Sequence, residues 1–301
     1  MIKNTYTIGL IFTLLGAFLF SAKGVLVKWA MPFGADALDI LGLRMAFAVP
    51  IYIGLVWFQS WKDKQLEISK QKKSLTLNQW AKIFFLGFIG YYLSSMLDFH
   101  GLQYVSAGLE RMIIFLYPSF VLILSVLIGK ERFNSRNFVA LFCSYIGIIF
   151  VYLGDTDFDP EVGLYGSLLI LTSAFVFAIF LIIGEDLIKE IGPARFTNYG
   201  MIVAGFFVLT HFFVAGHSFD FSEKVYLAGF LLGVFGTVIP SYCMNKGISI
   251  LGSSRASILS TFGPISTLGL GVIVLGESFG LLEIVGITFV ISAGFFVKKK
   301  V

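Results

Sequence analysis

Long apolar runs recur along the whole chain of 301 residues. A run of about 17–25 such residues crosses the hydrocarbon layer of a bilayer as one helix, because an α-helix rises about 1.5 Å per residue. A helix also satisfies its own backbone hydrogen bonds, which lipid cannot do for an irregular segment. The pattern predicts an all-α integral membrane protein with ten transmembrane helices, near 5–28, 38–58, 83–104, 107–128, 136–153, 164–184, 197–216, 225–246, 254–275 and 279–297.

The composition agrees with the membrane class. Hydrophobic residues make up 57% of the chain and charged residues only 13%, against about 25% charged residues in typical soluble domains. The formal net charge of +4 comes from basic residues in particular loops, so it indicates membrane orientation and not nucleic-acid binding. Cys143 and Cys243 lie in apolar runs and are too few for a disulfide framework or a metal cluster, so we interpret them as packing residues. We expect no cofactor and no bound metal.

The charges of the loops predict which side of the membrane each loop faces. The loop 59–79 is rich in lysine, which is typical of cytoplasmic loops, whereas residues 155–162 carry acidic residues and no basic one. Both chain termini are then cytoplasmic, in agreement with the lysines at 298–300. A cleaved signal peptide is the alternative for the first run. Phe20-Ser21-Ala22 is a poor cleavage site, however, and the helical pattern continues beyond it to Trp29.

An internal duplication relates the two halves of the chain. A shift of 146 positions aligns six identities without a gap: Gly87, Gly90, Ser95, Gly101, Pro118 and Glu131 match Gly233, Gly236, Ser241, Gly247, Pro264 and Glu277. Each half contains an odd number of runs, so the second half must cross the membrane in the opposite sense. We therefore predict two inverted five-helix repeats, 1–155 and 156–301. Secondary transporters often place their substrate site near the midplane between such repeats.

The duplicated segments resemble the paired EamA repeats of the drug/metabolite transporter superfamily. Small residues, a mid-helix proline and a closing glycine and glutamate occur twice, and the resemblance spans almost the whole chain. The motifs are Ser106-Ala107-Gly108, Tyr117-Pro118 and Gly129-Lys130-Glu131, then Gly252-Ser253-Ser254, Gly263-Pro264 and Gly276-Glu277. The resemblance implies a ten-helix transporter of small metabolites, often an exporter of amino acids or related compounds, in the cytoplasmic (inner) membrane of a bacterium.

The first half departs from the commonest EamA pattern by carrying charges where that pattern is mostly apolar. A charge inside a membrane helix costs at least about 2.5–3.5 kcal/mol on insertion scales, so it persists where it pairs, faces water or meets a substrate. Helix lengths place five such residues at one depth in the outer third of the bilayer: Lys23, Arg44, Asp98, Glu110 and Arg111. Three cations and two anions leave one positive charge for an anionic group of a substrate. A fully paired structural network is the alternative.

Other residues extend the predicted pathway towards the cytoplasm. Mid-helix prolines break the backbone ladder, and broken helix is tolerated in lipid chiefly beside protein or a cavity. With neighbouring residues and hydroxyl groups, this adds Tyr91, Tyr92, Ser95, Tyr117, Pro118, Gly263 and Pro264. A possible inner gate consists of Glu185, Asp186, Lys246 and Arg255, for which ordinary interfacial charge is the alternative. His211 and His217 have no clustered ligand partners in the sequence, so no metal site is expected there.

These features predict a secondary transporter of a small polar metabolite, an amino acid or a related zwitterion or anion, that acts as an exporter or exchanger. An importer or exchanger of a larger nucleoside-like or cofactor-like metabolite is the alternative, followed by a channel or scaffold. The chain has no HExxH, GxSxG or P-loop motif, so we expect no enzyme activity and no nucleotide-driven transport. A gradient of protons or other ions, or exchange, would then supply the energy. The oligomeric state is not predicted.

Overall fold

The computed structural model describes residues 2–65, 74–130, 135–154, 160–260, 263–276 and 280–296. No strand occurs in these ranges. The helices are α1 (Ile2–Ala30), α2 (Ala37–Gln65), α3 (Leu77–Gly101), α4 (Ala107–Leu127), α5 (Ser135–Gly154), α6 (Pro160–Ile191), α7 (Pro193–Val214), α8 (Glu223–Leu251), α9 (Ser253–Leu259), α10 (Gly263–Leu270) and α11 (Leu281–Phe296). Residues 155–159 of the predicted acidic segment 155–162, Glu131, Glu277 and the C-terminal lysines lie outside the described residues.

Seven of the described helices are long and apolar enough to cross a membrane, namely α1 to α4 and α6 to α8. This confirms the predicted all-α membrane class. The described parts of the remaining predicted runs are also helical, in α5, in α9 with α10, and in α11. The count of ten crossings and the division into two repeats stay predictions.

Local sequence signals explain where several helices begin. Thr76 and Gln79 form a reciprocal capping box at the start of α3, where each side chain accepts a hydrogen bond from the backbone N–H of the other. Ser106 caps α4, because its hydroxyl oxygen accepts a bond of 3.1 Å from the backbone N–H of Leu109. Gly192 has a φ of +87° directly before Pro193, which allows α6 to end and α7 to begin without a longer loop.

Helices of the N-terminal half of the chain pack against helices of the C-terminal half. Helix α1 packs on α8 and α10, whereas α3 and α4 pack on α6. Helix α2 packs on α7 and α8, α7 packs on α3, and α5 packs on α11. A Cβ atom added at Gly87 would lie 2.8 Å from the carbonyl oxygen of Gly200 on α7, and one added at Gly233 would lie 3.0 Å from that of Arg44 on α2. Only glycine permits the backbones to approach so closely at these two crossings.

Labelling of the loops tests the predicted orientation. We expect a cysteine at position 157 to react with a membrane-impermeant maleimide on intact cells, and a cysteine at position 69 to react only after the membrane is opened. The background lacks the native thiols through Cys143→Ala and Cys243→Ala. Each native cysteine lies in a helix, and both are free. Labelling of both sites from the same side would contradict the inverted arrangement of the two halves.

Candidate functional site

A cavity of about 110 Å³, which we call the central cavity, lies between α1, α2, α3, α4, α6, α7 and α8. One water molecule needs about 10–15 Å³, so the cavity holds several waters or a small solute. Four charged residues line it: Lys23, Arg44, Asp98 and Arg111. Its uncharged polar lining comprises Tyr91, Ser94, Ser95, Tyr117, Thr237, Ser241, Asn245 and Ser260. Seven residues of the predicted substrate pathway therefore line one cavity: Lys23, Arg44, Tyr91, Ser95, Asp98, Arg111 and Tyr117.

Lys23 and Asp98 form a buried ion pair across α1 and α3. The ammonium group of Lys23 donates a hydrogen bond to Oδ2 of Asp98. The Asp98 side chain is only 2% exposed and the Lys23 side chain 15% exposed. The ammonium group also lies 5.2 Å from the ring centre of Phe99, in cation–π geometry. Because the Asp98 carboxylate is almost fully desolvated, loss of Lys23 would leave a buried charge without its ion-pair partner.

Arg44 on α2 differs from the other buried cations. Its guanidinium carbon lies 5.1 Å from the centre of the Phe99 ring, and the residue is 4% exposed. Asp98 and Tyr52 act on it electrostatically, but the described residues provide its guanidinium with neither a hydrogen bond nor a salt bridge. Arg44 is thus a desolvated cation beside a cavity, with an aromatic ring as its main direct contact.

Arg111 and Glu110 have different surroundings although they are adjacent on α4. Nη2 of Arg111 donates hydrogen bonds to the backbone carbonyls of Phe20 at 2.9 Å and Ser21 at 3.1 Å on α1. The Glu110 side chain is fully buried, and its Oε2 lies 3.9 Å from Nε of Arg111. Its carboxylate lies against Gly24, where an added Cβ would be 2.6 Å from Oε2. Arg111 therefore faces the cavity, whereas Glu110 lies behind it.

A buried polar network around Asn245 was not predicted from the sequence. The amide nitrogen of Asn245 donates hydrogen bonds of 2.8 Å to the Tyr91 hydroxyl and 2.7 Å to the Thr197 hydroxyl. The hydroxyls of Tyr52 and Ser241 are hydrogen-bonded at 2.7 Å. A buried amide inside an apolar run is a detectable signal, because such a group is costly unless it is hydrogen-bonded. Asn245 shows this signal in the apolar run near 225–246.

Several predicted pathway residues lie outside the cavity lining. The Tyr92 hydroxyl is instead 3.1 Å from Nδ1 of His211 on α7. Helix α4 is interrupted after Ile114 and resumes at Tyr117, with Pro118 in the first turn of the second part. Gly263 begins α10, and a Cβ there would approach Phe115 and Ser21. The Pro264 side chain lies outside the described residues. The proline-associated break in α4 is present, and the pathway roles stay predictions.

The predicted inner-gate residues form two separate contacts. Glu185 on α6 accepts hydrogen bonds from the backbone N–H of Ser253, at 2.8 Å, and from its hydroxyl, so it holds the start of α9. Asp186 accepts a hydrogen bond of 2.8 Å from Lys130 beyond the end of α4. Lys246 and Arg255 are both exposed. The structure therefore shows acidic residues of α6 joined to the ends of α4 and α9, and a gating role stays a prediction.

His217 has two acidic neighbours, so the expectation that it lacks clustered ligand partners is wrong. Its Nδ1 lies 2.6 Å from Oδ1 of Asp39, and its Nε2 lies 3.9 Å from Oδ2 of Asp36. The two aspartates also accept each other's backbone N–H at the start of α2. Each of the three residues offers one atom that could ligate a metal ion, and these three atoms lie within 4.8 Å of one another. These hydrogen bonds fasten the loop after α7 to α2, a long-range contact that local sequence does not reveal.

Comparison with known proteins decides the family. The model of the EamA-like transporter family matches residues 7–153 and 164–298. The chain belongs to the EamA-like transporter family. An uncharacterized transporter of Bacillus subtilis (strain 168), YcbK, is 31% identical over 97% of this chain and 94% of that protein. An uncharacterized inner membrane transporter of Salmonella typhimurium, YicL, is 24% identical over 95% of this chain and 93% of its own length.

A solved crystal structure shares the fold of this EamA-like chain. Its TM-score is 0.71 at 12% identity, over 96% of this chain and 95% of the other. At that identity the likeness concerns the fold alone. The family membership means that this integral membrane protein is a transporter with a small-molecule substrate and a lipid bilayer around it.

Proposed function

We propose that this EamA-like protein is a secondary transporter that moves a small polar metabolite, an anion or a zwitterion, by alternating access. The observation that carries the proposal is the central cavity, in which desolvated charges from α1 to α4 meet hydroxyl and amide groups from α3 and α8. Charged side chains at membrane depth mark substrate or ion pathways when they face a cavity. We propose no enzymatic step for this site.

Two inverted repeats would supply the moving parts. The matched packing supports them: α1 on α8 corresponds to α3 on α6, and α2 on α8 corresponds to α7 on α3. The equivalent positions Gly87 and Gly233 both mark close helix crossings, on α7 and α2 respectively. The family model also matches two consecutive ranges of similar length. Rocking of one repeat against the other would open the cavity to each side in turn.

The size of the cavity bears on the substrate. A volume of about 110 Å³ is small beside the roughly 300–1,000 Å³ typical of pockets for drug-sized ligands. It favours a small metabolite over the larger nucleoside-like or cofactor-like alternative. We propose export or exchange across the bacterial inner membrane with both termini in the cytoplasm. Asp98 is the residue that would carry a coupling proton, because its carboxylate lines the cavity and is paired with Lys23.

Comparison of metabolites tests the proposal. Small molecules in medium and cytosol are measured in cells that produce the protein and in cells that produce the Lys23→Met variant at equal membrane levels. We expect at least one small anion or zwitterion to change its distribution only with the wild-type protein. Large passive ion currents in planar bilayers, with no substrate-specific redistribution, would identify a channel and contradict the proposal.

A further inference from the structure

The cations of the central cavity differ in whether they already have a partner. Lys23 is bound to Asp98, and Arg111 donates to the backbone carbonyls of α1. Arg44 has neither kind of partner among the described residues and contacts the face of Phe99. Of the three cavity cations, Arg44 is therefore the one whose charge is still available to a bound molecule.

The burial of Arg44 makes an absent anion costly. The residue is 4% exposed, and a buried charge without a partner lacks the interactions that repay its desolvation. A cation–π contact such as the one with Phe99 offsets only part of the desolvation penalty of a buried cation. A carboxylate or a similar anion in the cavity would supply the missing interaction and accept hydrogen bonds from the planar guanidinium group.

The cavity lining offers an ammonium group only one carboxylate, that of Asp98, among three cations. Oδ2 of Asp98 accepts a hydrogen bond from Lys23, whereas its Oδ1 is buried without a hydrogen-bond partner. Both carboxylate oxygens of Glu110 are buried, and Glu110 does not line the cavity. A bound zwitterion would thus bring a fourth cation to a site with one carboxylate that is already paired with Lys23, which is less favourable in a dry site than binding a monoanion.

The apolar part of the cavity lining indicates the character of the uncharged part of the ligand. Apolar side chains surround the polar groups, and the larger of them are Phe20, Phe115, Phe177, Phe180, Met201 and Met244. Phe177 and Phe180 are stacked, with ring centres 5.5 Å apart. Aromatic walls around a small volume favour a compact apolar group over a second charged one.

We infer that Arg44 binds the anionic group of the substrate and that this substrate is a small organic monoanion with an apolar body and no ammonium group. This inference rests on the proposed transport function and narrows its substrate class. It also assigns the surplus positive charge predicted from the sequence to Arg44, because Lys23 is bound to Asp98 and Arg44 is without a partner among the described residues.

Binding to the purified full-length protein in detergent tests the inference without any transport step. Two matched series of probes are used at pH 7: propionate, propionamide and alanine, then phenylacetate, phenylacetamide and phenylglycine. Within a series the apolar body is constant, and only the charge pattern changes. We expect the carboxylates to raise the thermal unfolding midpoint and to bind about tenfold or more tightly than the amides and the amino acids, since a charged hydrogen bond is gained.

Variants assign the response to Arg44. Arg44→Gln should weaken carboxylate binding about tenfold or more, and Arg44→Lys should keep the preference for anions at reduced affinity. The matched control is Lys224→Gln, which removes an exposed cation 4.5 Å from the ring centre of Phe33, outside the cavity. It should bind the probes like the wild type. If Arg44→Gln does not fold, the probe series on the wild type and the Arg44→Lys variant still decide the question.

Three results would overturn the inference. They are amino acids that bind as tightly as the carboxylates, no binding by any probe, and carboxylate binding that is unchanged in the Arg44 variants. Transport of an unrelated substrate would leave the transport proposal standing while this inference fails. Carboxylate binding at Arg44 without any transport would support this inference while the transport proposal fails.

Discussion

Replacement of Lys23 by methionine is expected to abolish transport while the protein still inserts into the membrane. The change removes the partner of the Asp98 carboxylate, which is 2% exposed and has its other oxygen without a hydrogen bond. Loss of one member of a buried pair typically costs about 3–5 kcal/mol, equivalent to more than a hundredfold in an equilibrium constant. Transport per correctly folded molecule is measured in proteoliposomes, and folding is measured by size-exclusion chromatography and thermal unfolding.

Two further variants separate the role of Lys23 in transport from its role in stability. The double variant Lys23→Met with Asp98→Asn removes both charges of the pair, so neither partner is left alone, and it should recover thermal stability without recovering transport. Lys28→Met makes the same change on α1 outside the cavity, where the ammonium group donates to the carbonyls of Leu102 and Val105. It should retain transport. If the double variant transports normally, the ion pair is a structural element and the site assignment is wrong.

Gly90→Ala is expected to reduce both stability and transport. A Cβ atom at this position of α3 would lie 2.1 Å from Cδ2 and 2.2 Å from Cγ of the Phe180 ring on α6. Phe180 cannot withdraw easily, because it is 2% exposed and its ring centre lies 4.8 Å from that of Tyr91 and 5.8 Å from that of Phe196. Overpacking of this kind costs about 1–3 kcal/mol, and the ring would have to move at the wall of the cavity.

The matched control for this substitution is Gly54→Ala. Gly54 is also within a helix, α2, but a Cβ there has no other heavy atom within 4 Å. Because alanine is the better helix former, Gly54→Ala should leave stability equal or slightly higher and transport unchanged. Equal unfolding midpoints and equal transport rates for the two alanine variants would show that the contact between α3 and α6 tolerates a larger residue.

The class of fold could be predicted because lipid permits few alternatives. Apolar runs of bilayer length must be helical there, and the predicted run 107–128 agrees closely with α4 at Ala107–Leu127. Gly87 and Gly233, which align the two halves of the sequence, both lie at close helix crossings. The rise per residue predicted that the charges of α1 to α4 share one layer, and in the structure Lys23, Arg44, Asp98 and Arg111 line one cavity.

Contacts around the helix axes could not be predicted, because they depend on how each helix is rotated and on which neighbour it meets. Tyr91 and Tyr92 are adjacent in sequence, yet one faces the cavity and the other faces His211 on α7. The same uncertainty applied to Glu110 and Arg111. The sequence showed a surplus of one cation but not that Arg44 would be the residue without a partner.

Counterflow in proteoliposomes tests the transport claim most directly. Vesicles that contain the purified protein are loaded with an unlabelled metabolite identified by the cell comparison and are diluted into medium with a trace of the labelled compound. We predict a transient accumulation of label above its equilibrium level in wild-type vesicles, and none with Lys23→Met or in vesicles without protein. Label that only rises to equilibrium in wild-type vesicles, together with passive currents, would contradict a carrier mechanism.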